Sequence, residues 1–266
     1  MPDRERVYRT EAVVLRHSDF GEADRLLTVF TPYMGKLRLL AKGVRKPGSR
    51  KAGHLDLFTR TQLLVARGRN LDIITQAQTI EPYLSLRRDL WRMSHGCYAA
   101  ELLDSFSEEQ SENEPLYRLL CQVLGWICQS SSLVLTIRFF ELRLLNLVGY
   151  RPQLFNCVGC NTALEPVVNF FSAEGGGVLC PRCGKGRRGA HPIPLGALKV
   201  LRYMQTHEYA DCAALRPQCS TCDEVEEVVQ RYLVYVLERK LKSVEFLNML
   251  RHSDAVHGNR EMIPGG

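Results

Sequence analysis

The sequence has no long apolar run free of charges and no apolar stretch of the kind found in a secretory signal near its start. Its most apolar helical segment, residues 133–149, contains two arginines and one glutamate, which favours a core helix over a membrane span. No internal repeat is visible, and a composition of 45% hydrophobic and 24% charged residues is ordinary for a globular chain. We therefore expect a cytoplasmic protein with no membrane partner.

Motifs of the common catalytic classes are also missing. The chain has no H-E-x-x-H, no G-x-S-x-G, no Walker A loop and no zinc-deaminase signature. The paired acids Glu22 and Asp24 lie near a turn, and we expect them to fix that turn by pairing with Arg25. The sequence thus favours a protein that is not an enzyme and has no small-molecule substrate. The alternative is an enzyme, which would reveal itself by cutting DNA strands in the presence of a divalent metal.

Acidic residues are scarce in the first third of the chain. Residues 1–80 hold 15 Lys and Arg against 8 Asp and Glu, whereas the remainder holds 20 against 21. Such asymmetry indicates one anion-binding domain joined to a nearly neutral one. Residues 35–54, GKLRLLAKGVRKPGSRKAGH, contain no acid. The candidate DNA-binding residues in this stretch are Lys36, Arg38, Lys42, Arg45, Lys46, Arg50 and Lys51.

The first eighty residues have the pattern of short strands separated by Gly, Pro and Asn turn signals. Five short strands in about eighty residues favour a five-stranded OB-type β-barrel. Strands are expected at 11–16, 24–31, 36–43, 57–66 and 71–80.

Side chains of the third strand should alternate between two faces. Lys36, Arg38 and Lys42 would line a groove, and the cations of 45–51 would lie in a mobile hairpin loop. Such an arrangement is typical of a surface that binds single-stranded or duplex DNA or RNA through phosphates. A cationic face that only confers solubility is the alternative. Three aromatic residues are candidates for base stacking or for the core: Phe20, Tyr33 and Phe58.

From Pro82 onward apolar residues recur every three or four positions, which predicts helices. They are expected over 84–106, 115–129, 133–148, 195–206 and 223–241, with the acidic segment 107–114 as a solvated loop. The fold class expected is α+β: the barrel, an all-α domain and an inserted cysteine module.

The cysteine spacing C-x2-C, nineteen residues, C-x2-C is typical of a zinc site, because each tight turn presents two thiolates. The predicted ligands of one structural Zn²⁺ are Cys157, Cys160, Cys180 and Cys183. Four thiolates leave no open position for water, so we expect a structural clamp. His191 as a substitute ligand and four unrelated buried thiols are the alternatives. The segment between the two pairs could form a short hairpin.

A third pair, Cys219 and Cys222, allows a second metal site with Cys212 and His207. The simpler interpretation is a capping box, Thr221-x-x-Glu224, that opens the last helix and places Cys222 in its first turn. The helix dipole would favour a thiolate there.

The segment VLRHSDFGEADRLLTVFTPYMGKLRLLAKGVRKPGS (residues 14–49) resembles the N-terminal signature of the bacterial RecO family, and LERKLKSVEFL resembles its C-terminal end. Lys36, Lys42, Arg45 and Lys46 fall on matching positions. The resemblance implies an N-terminal OB domain, a helical domain and, in many members, an inserted four-cysteine zinc module. It also implies a non-enzymatic mediator of recombinational DNA repair, cytoplasmic and associated with the nucleoid. Implied activities are binding of single- and double-stranded DNA and annealing of complementary strands.

The implied partners are RecR, single-strand-binding protein and, indirectly, RecA, which would be loaded on DNA coated by single-strand-binding protein. A zinc-ribbon transcription or translation factor without annealing activity is the alternative function. Our expected domains are an OB domain at 1–81, a helical domain at 82–155 and 192–250, a zinc module at 156–191 and a flexible tail at 251–266.

Overall fold

The computed structural model describes residues 6–238, 241, 243, 244 and 246–250. The chain forms two compact units, Met1–Gln129 and Ser130–Gly266. The predicted tail, 251–266, lies outside the described residues, as do parts of the last predicted helix. The expected domain limits remain predictions.

The first unit begins with five strands that close into a barrel of order β1-β2-β3-β5-β4. Neighbours are antiparallel except β3 and β5, which are parallel. This confirms the predicted five-stranded N-terminal barrel. The strands are β1 (Val7–Phe20), β2 (Asp24–Thr31), β3 (Gly35–Ala41), β4 (Arg60–Ala66) and β5 (Asp72–Glu81).

Closure of the barrel depends on the length of β1. Its first half pairs with β4 and its second half with β2, and the register shifts between Val14 and Arg16. Such an irregularity bends a strand, which lets one strand serve both edges of a closing sheet. Alternate residues point inward, and the core includes Leu27, Val29 and Leu39.

The connection between β3 and β4, residues 42–59, is not the predicted hairpin loop. The strand order places β5 between β3 and β4, so the connection crosses the end of the barrel instead of turning back beside β3. It is anchored there because Val44 and Leu55 belong to the barrel core. Backbone hydrogen bonds from Arg45 N to Ala23 O (2.9 Å) and from Phe58 N to Val14 O (2.8 Å) hold its two ends. A short 3-10 helix lies within it at Ala52–His54.

Three helices complete the first unit: α1 (Leu84–Arg88), α2 (Leu90–Ser105) and α3 (Glu114–Gln129). The single helix predicted over 84–106 is therefore two helices. Asp89 has extended backbone angles, and its carboxylate accepts a hydrogen bond from Arg92 N, so it caps α2 and interrupts the periodic segment.

The second unit combines helices with a small sheet of order β7-β6-β8. The β6–β7 pair is the hairpin expected between the two cysteine pairs. The last helix begins at Cys219 after Gln218, so the Thr221 capping box is wrong. The elements are α4 (Leu133–Leu147), β6 (Asn169–Ser172), β7 (Gly177–Leu179), α5 (Pro181–Gly184), β8 (Ala190–Ile193), α6 (Leu195–Thr206), α7 (Tyr209–Ala213) and α8 (Cys219–Leu237).

Candidate nucleic-acid interface and metal centre

The side chains of β3 alternate as predicted around Arg38, but Leu40, expected on the same face as Arg38, is buried. Leu39 and Ala41 are buried in the barrel, with Leu37 packed against them, while Arg38 is exposed. Lys42 is exposed one residue beyond the end of the strand.

Arg38 belongs to a row of outward-facing residues that crosses three strands. Arg38 is registered opposite Thr28 on β2, which is opposite Arg16 on β1. With neighbouring strands about 4.8 Å apart, the two arginines lie about 10 Å from each other at the backbone. Arg16 was not predicted from the sequence, because only the registers of β1 with β2 and of β2 with β3 place it in line with Arg38. We call Arg16, Thr28 and Arg38 the arginine row.

The arginine row lines a shallow depression of about 330 Å³, together with His17 and Lys36. Two acids, Asp104 and Glu109, also line it. Asp104 forms ion pairs with Lys36 and Arg16, at 2.8 Å and 3.4 Å. Arg38 is in no ion pair among the residues that the structure describes, so it is the cation of this face most available to a phosphate.

Lys36 has a structural partner within its own unit. Its side chain is only 15% exposed, and Nζ donates to Asp104 Oδ1 (2.8 Å) and to Ser107 O (3.2 Å). The backbone is engaged as well, since Gln110 N donates to Lys36 O. Residues 107–111 thus contact the start of β3, a contact that the prediction of a solvated loop did not include, although residues 108–112 are exposed as predicted.

Gly35 allows this close approach. It has φ of +56°, and a Cβ at this position would lie 2.0 Å from Ser111 O. The Gly-Lys pair therefore joins β3 to the segment after α2, which is a structural role that charge alone did not indicate.

The cations of the crossing connection have different surroundings. Arg45 forms an ion pair with Asp19 (3.3 Å), and Lys51 Nζ donates to Ile74 O (3.0 Å). Burial lowers the pKa of Lys51. Lys46 and Arg50 are exposed, and within the described chain neither forms an ion pair. The seven candidate residues thus include four available cations: Arg38, Lys42, Lys46 and Arg50.

The acids near the first turn also differ from expectation. Asp24 accepts a hydrogen bond from Gly43 N (2.7 Å), and Arg25 lies 3.5 Å from Asp19 instead of pairing with Asp24 or Glu22. Among the aromatic candidates, Phe58 is buried and belongs to the interior, whereas Tyr33 and Phe20 are 63% and 49% exposed.

The four predicted cysteine ligands come together in the second unit. Their sulfur atoms all lie within 4.8 Å of one another, and the structure contains no other such cluster among its described residues. The Sγ atoms of Cys160 and Cys180 are 3.8 Å apart. Sulfur ligands at about 2.3 Å from a tetrahedral zinc would be about 3.8 Å apart, so the spacing fits a metal of that size. These four residues could hold a metal ion.

Backbone contacts hold each cysteine pair in place. Val158 N donates to Val178 O (2.9 Å), which ties the first pair to β7. Cys157 Sγ accepts hydrogen bonds from the backbone N–H groups of Cys180 (3.2 Å) and Gly159 (3.4 Å). Gly184 packs so closely on Phe170 that a Cβ there would lie 2.5 Å from that side chain. The cluster is therefore built into the small sheet.

The thiols of the cluster differ in acidity. Hydrogen bonds from the side chain and backbone of Thr162 lower the pKa of Cys160 to about 6. Hydrogen bonding to Cys180 and Cys160 raises the pKa of Cys183 to about 12. Since neighbouring thiolates repel, a cation among them would stabilise the fully deprotonated set.

The remaining cysteine candidates do not join a site. His191 lies outside the cluster, and Cys212, Cys219 and Cys222 form no second one with His207 in the part of the chain described. Burial raises the pKa of Cys222, so the thiolate predicted from the helix dipole is not favoured.

A basic turn beside the cluster was missed by the sequence reasoning. Arg182, Lys185, Arg187 and Arg188 are all exposed. No acid occurs between Glu174 and Glu208, and this was the signal available in the sequence. We call these four residues the basic knuckle.

Comparison with known proteins identifies the family. The family model described as Recombination protein O N terminal matches residues 5–83, and Recombination protein O C terminal matches residues 87–245. The chain belongs to the RecO family. It is 44% identical over 248 residues to the DNA repair protein RecO of Roseiflexus sp. (strain RS-1), covering 93% of this chain and 87% of that protein.

Other RecO proteins match over a similar extent. The DNA repair protein RecO of Desulforudis audaxviator (strain MP104C) is 37% identical over 91% of this chain and 97% of its own length. The DNA repair protein RecO of Dehalococcoides mccartyi (strain CBDB1) is 35% identical over 93% of this chain and 97% of its own length. The predicted family resemblance is confirmed, and this RecO-family chain is a DNA repair and recombination protein. In its described residues no helix combines the length and apolar character needed to cross a bilayer.

Proposed function

We propose that this RecO-family chain is a recombination mediator that binds single- and double-stranded DNA and anneals complementary strands. The observation that carries the proposal is the arginine row on the barrel. The same unit also exposes Lys42, Lys46 and Arg50, and the chain belongs to a family of DNA repair proteins. In the proposal it acts with RecR to load RecA on DNA coated by single-strand-binding protein.

Annealing requires no bond chemistry. A protein that anneals must hold two strands close, screen their repulsion and release the duplex. Contacts between arginine or lysine and phosphate suit this task, because they carry no sequence information and release counterions on binding. The backbone of Arg38 is positioned by a strand packed on the barrel core, so binding has to order only its side chain.

The four-cysteine cluster is proposed to hold one structural Zn²⁺, through Cys157, Cys160, Cys180 and Cys183. The sulfur-only donor set and the 3.8 Å separation of two sulfurs support this metal. Residues 156–191 would then be a metal-stabilised insert between the two parts of a helical domain, 82–155 and 192–250, after an OB domain at 1–81. The protein is proposed to act in the cytoplasm at the nucleoid.

The test is an annealing assay on complementary oligonucleotides coated with single-strand-binding protein. The wild-type chain should accelerate annealing, and Arg38→Glu should reduce DNA affinity roughly tenfold, because reversal replaces an attraction with a repulsion. Arg88→Glu is the matched control, since Arg88 is an exposed arginine of α1 that does not line the depression. DNA binding without any acceleration would support the transcription or translation factor instead, and equal effects of the two substitutions would rule out the arginine row.

A further inference from the structure

A second cationic groove lies elsewhere on the barrel. It has a volume of about 650 Å³ and is lined by β1, the turn between β2 and β3, β4 and the start of α3, all within the first unit. The arginine row uses the second half of β1, whereas this groove uses the first half, where β1 pairs with β4. The two surfaces share no lining residue.

The charges of this groove do not cancel. Its lining includes four arginines and two glutamates. Arg60 pairs with Glu11 at 2.7 Å, and Arg118 pairs with Glu114 at 2.7 Å. Both acids are therefore occupied.

Two arginines of the groove remain available. Arg9 and Arg67 are exposed, and within the described residues neither forms an ion pair. They are the groove's uncompensated positive charges, which is the pattern expected where an anion binds.

An aromatic ring lies beside one of these two arginines. The Arg67 guanidinium lies 5.0 Å from the centroid of the Tyr8 ring. The Tyr8 hydroxyl donates to Asp72 Oδ2 (2.9 Å), and Asp72 Oδ1 accepts from Gly68 N (3.0 Å). The Tyr8 ring, on which the Arg67 guanidinium packs, is thus held in place by the hydrogen bond of its hydroxyl to Asp72.

Tyr33 supplies a second, more accessible ring in the lining of the groove. It lies in the turn between β2 and β3 and is 63% exposed. Exposed aromatic faces next to cations are the combination that single-stranded nucleic acid uses, one for bases and the other for phosphates.

We propose that this groove is a second binding site for single-stranded DNA, with phosphates at Arg9 and Arg67 and a base stacked on Tyr33. The inference rests on the proposed function, because a protein that anneals has to hold two strands at once. With one strand on the arginine row and another in this groove, a single barrel holds both. An acidic peptide could also pair with the arginines, but it would leave the Tyr33 ring without a stacking partner.

The test is to count the strands bound per chain. Native mass spectrometry with short oligothymidylate, whose strands cannot pair with each other, should show up to two bound to the wild-type chain. Arg9→Glu and Tyr33→Ala should each leave one, with affinity at the second site reduced at least fivefold. Tyr33→Phe should retain two, because its ring still stacks. Arg88→Glu is the charge-matched control and should also retain two. Thermal melting should show all variants folded, since Arg9 and Tyr33 are exposed.

The outcomes separate the two proposals. A wild-type chain that binds no oligothymidylate would overturn the proposed function. One strand per wild-type chain, or two on Arg9→Glu, would overturn the groove while leaving the proposed function standing. The last measurement is the binding of a fluorescent polyglutamate peptide to the wild-type chain and to Arg9→Glu. If Arg9→Glu lost the peptide but kept two strands, the groove would be a peptide site and the proposal would be wrong.

Discussion

Lys36 and Arg38 are two residues apart on β3 and carry the same charge, but their surroundings assign them different roles. Lys36→Ala removes the closer of two ion-pair partners of Asp104 and a donor to Ser107 O. We expect it to lower the free energy of unfolding by about 1–3 kcal/mol, because Ser107 O loses this charged donor and Asp104 keeps only its longer contact with Arg16. Denaturant titration followed by circular dichroism measures the change.

Arg38→Ala provides the comparison at the same strand. The side chain is exposed, so stability should change by less than about 0.5 kcal/mol. DNA affinity should fall, and the slope of affinity against salt should decrease by about 1, since one phosphate contact is lost. Two results together would reverse this assignment of roles. Lys36→Ala would be as stable as the wild type but bind DNA more weakly, and Arg38→Ala would bind DNA normally.

Gly35→Ala should lower the free energy of unfolding for two separable reasons, the positive φ and the contact with Ser111 O. Positive φ alone costs an alanine about 1–2 kcal/mol, and the contact with Ser111 O adds to it. Gly48→Ala is the matched control, because Gly48 has φ of +77° and a Cβ there would meet nothing within 4 Å. Urea titrations should show Gly35→Ala as the less stable variant, and equal losses would mean that residues 107–111 do not lie on β3.

At this scale the sequence predicted what depends on neighbours along the chain. The alternation of Leu37, Arg38 and Leu39 follows from strand geometry, and the structure confirms it. The pairing of Lys36 with Asp104 could not be predicted, because the partners are 68 positions apart and meet only through packing. Charge patterns alone do not distinguish an available cation from one already paired.

Among the elements, the basic knuckle beside the cysteine cluster offers a separate test. Arg187→Glu with Arg188→Glu should weaken DNA binding and lower the salt slope by about 1.4–1.8, since each cation accounts for about 0.7–0.9. Fluorescence anisotropy over a salt series measures this. Lys199→Glu, at an exposed cation of α6, is the control. The same loss with Lys199→Glu would indicate a dependence on net charge and not on the knuckle.

Element types were easier to predict than their connections. The cysteine spacing led to the cluster and to the β6–β7 hairpin between its pairs. The third strand of that sheet, β8, and the crossing connection were missed, because both depend on which strands become neighbours. The Thr221 capping box failed because α8 begins earlier, at Cys219.

At the scale of the whole molecule, metal removal should act on one unit. The cluster lies in the second compact unit, so a strong chelator should lower the melting temperature of one calorimetric transition and leave another in place. The untreated protein should contain about one zinc per chain. Cys157→Ser should lose the metal and lower the melting temperature more than it lowers DNA affinity per folded molecule.

Cys97→Ser is the control for this experiment, because Cys97 is an exposed cysteine of α2 in the other unit. It should keep both the metal and the melting profile. A chelator that shifted every transition equally, or a Cys157→Ser chain with full zinc content, would contradict the prediction.

The charge asymmetry along the chain correctly indicated that exposed cations would be concentrated in the first third, because charged side chains usually lie on the surface. It did not reveal the two compact units, which divide the chain at residues 129 and 130. Nor did it show that α1, α2 and α3 belong with the barrel in one unit, because a boundary of this kind arises from packing between distant segments.

The connection that crosses the barrel end has a consequence for proteolysis. Residues 42–59 offer trypsin four cleavage sites, after Lys42, Arg45, Arg50 and Lys51, whereas Lys46 precedes Pro47 and is not cleaved. A protease must draw an extended segment into its cleft, and here Val44 and Leu55 hold both flanks in the barrel core. Limited trypsin digestion of the native chain, followed by mass spectrometry, should therefore cut this segment no faster than the barrel unfolds. Early cleavage after Arg50 or Lys51 would show that the crossing opens independently.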